Sequence, residues 1–80
     1  MRQPALKHLD ELLELLSHDN SSAASRIAEE HIRGARAYLL GAMHFEYRLN
    51  LELARDAVAR IGDDVLREQA EQLLNDVVTQ

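Results

Sequence analysis

AASRIAEEHIRGARAYLLGAMHFEYRL, residues 23–49, is the segment around which the other elements of this chain arrange themselves. Ala28, Ala35, Ala42 and Leu49 recur seven apart and form one column on a helical surface. His31, Tyr38 and Phe45, three positions on from the first three of these, form a second column beside it. Gly34 and Gly41 adjoin both columns, so a partner backbone can come close, with larger side chains filling the gaps. The periodicity predicts a helix that others pack around.

Followed further, the same face loses its character. It would continue through Glu52, Arg55 and Asp56, while a new apolar stripe of Tyr47, Leu51, Ala54, Val58 and Ile61 emerges on nearly the opposite side. A single helix from Ala23 to Ile61 would be about 58 Å long. A compact chain of this length is only about 30 Å across. A turn near Gly41–Phe45 realigns both stripes, and predicts helices over about 23–42 and 45–61. A three-helix arrangement with one long central helix is the rival.

Outward from this core segment, Pro4 suits a first helical turn, where its missing N–H costs nothing. Ala5, Leu6, Leu9, Leu12, Leu13 and Leu16 then form an apolar stripe opposite Lys7, Asp10, Glu11 and Glu14, which predicts a helix over about 4–17. SHDNSS, residues 17–22, is a connection, and Asn20, Ser21 or Ser22 is the expected cap of the next helix. Gly62 reads as a stop, and Asp63 or Asp64 as the cap of a last helix over about 64–78 that buries Leu66, Ala70, Leu73, Leu74 and Val77. The fold expected is all-α, an up-down bundle of four short helices in one domain spanning residues 1–80.

Composition narrows the function. The chain has 80 residues, is 46% hydrophobic but only 4% aromatic, and contains no cysteine, so neither disulfides nor thiolate metal sites supplement a small Leu/Ala core. Its net charge of −5 argues against nucleic acid and anionic membrane as partners, since both reward basic surface. No apolar run approaches the roughly 18 residues of a membrane span. A cytoplasmic protein is the expectation.

Sites for chemistry are not evident. Di-metal helical bundles use Glu-x-x-His pairs, and no Glu stands three residues before His8, His18, His31 or His44. His8 and Glu11 lie one turn apart but offer no third ligand. There is no G-x-S-x-G, and Gly34 and Gly41 sit in helical context rather than in a phosphate-binding loop. No metal, cofactor or small-molecule substrate is expected, and no enzymatic activity.

One resemblance offers an alternative. His31 is followed by Gly34, Ala37, Leu40-Gly41-Ala42 and Leu51-Glu52. HIRGA, residues 31–35, resembles the H-x-L-K-G-A of histidine phosphotransfer domains with one residue fewer, so Gly34 stands at the family's Lys position and Ala35 at its Gly position. The resemblance implies a four-helix bundle acting as a phosphorelay carrier with His31 as phosphoacceptor. Read from the residues alone, His31 is a histidine partly buried between helices.

The expected function is that of a non-catalytic interaction module, a small adaptor, co-chaperone or regulatory subunit that binds another protein chain, itself or a different one, through an apolar helix face. Leu40, Met43 and Tyr47 are the expected contact residues. Leu40 falls on the side of Arg33 and Arg36, where a polar residue is expected, and Met43 and Tyr47 follow at i+3 and i+7.

Overall fold

In a computed structural model describing residues 2–19 and 22–79, four helices form: α1 (Arg2–Ser17), α2 (Ala23–Leu40), α3 (His44–Val58) and α4 (Asp64–Val78). No strand occurs among the described residues. Each helix packs on its sequence neighbours and α4 returns to α1, the ring of an up-down bundle, with α1 and α3 diagonal to one another. The particle measures 32 × 18 × 17 Å. Among the described residues, no helix is long and apolar enough to cross a membrane.

The core follows helical spacing. Leu9, Leu12 and Leu16 of α1 meet Ala28, Ile32, Ala35 and Leu39 of α2, Leu51, Ala54 and Val58 of α3, and Ala70, Leu74 and Val77 of α4. The second stripe expected from sequence is the inner face of α3, with Tyr47 at its partly buried end and Ile61 closing it beyond the helix. Leu66 and Leu73 pack against this core while staying partly exposed.

Local chemistry sets the connections. Ser22 caps α2 by accepting the backbone N–H of Ser25, whose own buried hydroxyl donates to Asp19 at 2.8 Å. Of the three expected cap residues, Asn20 and Ser21 lie outside the described residues. Asp63 caps α4 by accepting from the N–H of Leu66. Its carboxylate is thereby engaged, and Arg67 pairs instead with Asp64 at 2.8 Å and donates to the carbonyl of Ile61 at 3.0 Å. The guanidinium thus ties α4 back to the connection before it.

The turn between α2 and α3 replaces a long central helix. The N–H of Ala42 donates to the carbonyl of Leu39 and that of Met43 to the carbonyl of Tyr38, the paired bonds of a Schellman ending. Ala42 takes the left-handed position, with φ at 57°, while Gly41 sits one residue earlier at an ordinary φ of −85°. Four boundaries differ from the expected ones, α1 beginning at Arg2 rather than residue 4 and α3 at His44 rather than residue 45. Helix α2 stops at Leu40, not residue 42, because the Schellman bonds consume its last carbonyls. Helix α3 stops at Val58, before Ile61, since Arg60 and Ile61 bond only three residues back, to Ala57 and Val58. Gly62 is therefore a loop residue beyond the helix, not its stop.

Candidate functional site

The expected contact residues do not share one surface line. Leu40 and Met43 are exposed, as a docking face requires. Leu40 follows Arg36 by one turn, and Arg36 pairs with Asp10 of α1 at 2.7 Å, so Leu40 lies on the flank of α2 that looks towards α1. Tyr47 is half-buried against the core and lines a cleft of about 620 Å³ with Leu39, His44, Leu51 and Val77. Burial raises its phenol pKa above the ordinary value. The expected alignment at i, i+3 and i+7 required helical geometry through the junction, and left-handed Ala42 breaks it.

His31 is half-buried on the flank of α2 that meets α3. Its Nδ1 stands 3.4 Å from Oδ1 of Asn50, whose Nδ2 donates to the carbonyl of Glu46 at 2.9 Å. A Cβ on Gly34 would sit 2.9 Å from the same Oδ1. Gly34 therefore makes room for the Asn50 amide and lets α3 approach α2. The glycine one turn beyond His31, which carries much of the phosphotransfer resemblance, has a packing role of its own.

Other polar groups gather into pairs rather than sites. His8 Nδ1 and Glu11 Oε1 are 3.4 Å apart without hydrogen-bond geometry. Arg33 and Glu29 pair along α2 at 2.6 Å, an exposed i, i+4 contact worth tenths of a kcal/mol. Among the described residues, no three His, Asp or Glu side chains are placed to hold one metal ion.

The main exposed apolar feature is on α3. Phe45, Leu49 and Leu53, spaced i, i+4 and i+8, are 73%, 43% and 40% exposed, and line up along the helix opposite its buried Leu51, Ala54 and Val58. Ile27 of α2, one turn before His31 and so on the flank facing α3, is exposed too. Scattered exposed apolar residues are ordinary; a ridge over two helical turns bearing the only phenylalanine is not. The seven-residue columns of residues 23–49 place Phe45 and Leu49 on the packing face. The four-residue spacing of Phe45, Leu49 and Leu53, opposite a stripe already assigned to the core, was the signal available for separating them.

Comparison with known proteins adds no relative. No family model, no curated protein and no solved structure matches the chain.

Proposed function

We propose that this protein is a non-catalytic interaction module that docks another polypeptide on the outer face of α3. The observation that carries this reading is the Phe45–Leu49–Leu53 ridge, solvated on a helix whose other side already supplies its full share of core. Phenylalanine exposed to this degree gives up hydrophobic stabilisation of about 25 cal/mol per Å² that a covering partner would supply. Met43, the cap residue of α3, is exposed as well, with a flexible side chain suited to an adaptable contact. Leu40 and Tyr47 become secondary, Leu40 on the α1 flank of α2 and Tyr47 at the margin of the cleft between α3 and α4.

The test is a comparison of the chain with its Phe45→Asp and Leu53→Asp variants. All three are expected to share helical content and melting behaviour, because surface changes outside special sites usually shift stability by less than about 0.5 kcal/mol. Only the unsubstituted chain should retain its partner in chemical cross-linking from native extract. Variants that unfold, or that cross-link to the same species as the parent, would refute the reading.

A further inference from the structure

The geometry points to a second copy of this chain as the occupant of the α3 ridge, in an antiparallel α3–α3 pair about a two-fold axis near its midpoint; this rests on the docking reading above. Two-fold pairs are the commonest closed assemblies, and they require a surface complementary to itself. The ridge meets that condition in an antiparallel register centred on residue 50. With the axis level with residue 50, Leu49 packs beside Leu49 of the second copy, and Phe45 falls between its Leu53 and Asp56. Arg48 and Glu52 lie on the same flank of the ridge. Both are exposed and carry no hydrogen bond or ion pair among the described residues. In that register each Arg48 stands across from the other copy's Glu52, so the contact makes two opposite-charge pairs from four unpaired groups. The same register brings Asp56 to the start of the opposite α3, where the cap residue Met43 supplies no side-chain hydrogen bond. A carboxylate near a helix N-terminus is favoured by the exposed N–H groups and the helix dipole. An acidic residue in place of Arg48 would have made the same apolar ridge self-repelling.

Size is compatible with the proposal. An interface of standard area takes about 800 Å² per partner, roughly a sixth of the 4993 Å² surface of one copy. The fifteen residues of α3, about 22 Å of helix, supply the length of that contact, with α2 beside it. Ile27 sits on this side and would join the contact through α2.

Light scattering coupled to size exclusion, from low micromolar to millimolar chain, gives the test. The unsubstituted chain should pass from monomer to dimer, and Leu49→Glu should abolish the dimer while circular dichroism stays helical. Arg48→Glu should weaken dimerisation by at least about tenfold, and so should Glu52→Arg, since each sets two like-charge pairs across the axis. The double variant Arg48→Glu/Glu52→Arg should recover to within about threefold of the parent. A chain that stays monomeric throughout overturns the second copy as occupant, and leaves the docking face to be judged by the cross-linking comparison. A dimer indifferent to Leu49→Glu overturns both. Failure of the double variant to recover overturns the antiparallel register. If Leu49→Glu unfolds, Leu53→Glu takes its place, and unfolding of both makes the ridge core and refutes the pairing.

Discussion

At Gly41 and Ala42 the residue types stand in the reverse of the order that the backbone favours. Ala42 holds φ at 57°, a region that costs a residue with a Cβ about 1–2 kcal/mol, while Gly41, with its greater freedom, sits where any residue fits. A Cβ on Gly41 would meet nothing nearer than 3.6 Å. Exchanging the two, Gly41→Ala with Ala42→Gly, should therefore stabilise the bundle, by about 1 kcal/mol, read as a rise in urea midpoint at unchanged slope. A loss of stability would mean that the turn is not built on a left-handed residue 42. Proline at 42 is excluded for the same reason, since its φ is fixed near −65° and it lacks the N–H that Ala42 donates to Leu39. Tyr47 gives a second residue-level expectation. Burial raises its pKa in the folded chain, so the unfolded chain ionises first as pH rises. Its contribution to stability is full below the ordinary value of 10.0 and is lost as pH rises through the higher folded value. Thermal melts between pH 9 and 11 should thus fall less steeply for Tyr47→Phe than for the parent, and parallel curves would remove Tyr47 from the alkaline response.

Between elements, the α2–α3 seam rests on Gly34, Asn50 and His31. Alanine at 34 gains about 1 kcal/mol of helix propensity, but its Cβ would press on Oδ1 of Asn50, which the bond to Glu46 holds in place. Gly34→Ala should accordingly be neutral or destabilising in the parent and stabilising in an Asn50→Ala background, with a coupling of about 1 kcal/mol in a double-mutant cycle. Additive changes would show that α3 does not approach α2 at this level. How far these elements could be read beforehand differs from one to the next. The break after Leu40 was legible because two apolar stripes on opposite sides cannot share one straight helix. The end of α3 was not, because Gly62 is the usual stop and nothing local shows that Arg60 and Ile61 bond only three residues back. The orientation of Phe45 was hidden by Ala42. A seven-residue column from Ala28 to Leu49 continues on paper across a left-handed residue that turns everything after it, and alanine does not advertise that conformation as glycine does. The Asn50 amide beneath Gly34 was equally invisible, since spacing on one helix does not reveal which polar group of another will occupy a missing Cβ.

For the whole molecule, a small core of mostly Leu and Ala and a solvated apolar ridge belong to the same account. A chain of this size buries only about 60–65% of the surface its unfolded form exposes, and no disulfide or thiolate metal site supplements that. Any partner that binds the folded form alone adds stability by mass action, and the α3 ridge offers aligned apolar surface for it to bury. Absence of cysteine makes the arrangement directly measurable, because one introduced thiol is unique in each copy. Leu49→Cys places it beside the proposed two-fold axis. Val65→Cys, on the more exposed first turn of α4, is the control for random collision. Under mild oxidation at micromolar chain, the account predicts a covalent dimer through Cys at position 49 that forms much faster than one through position 65 and that Arg48→Glu slows. Equal rates at the two positions would contradict it.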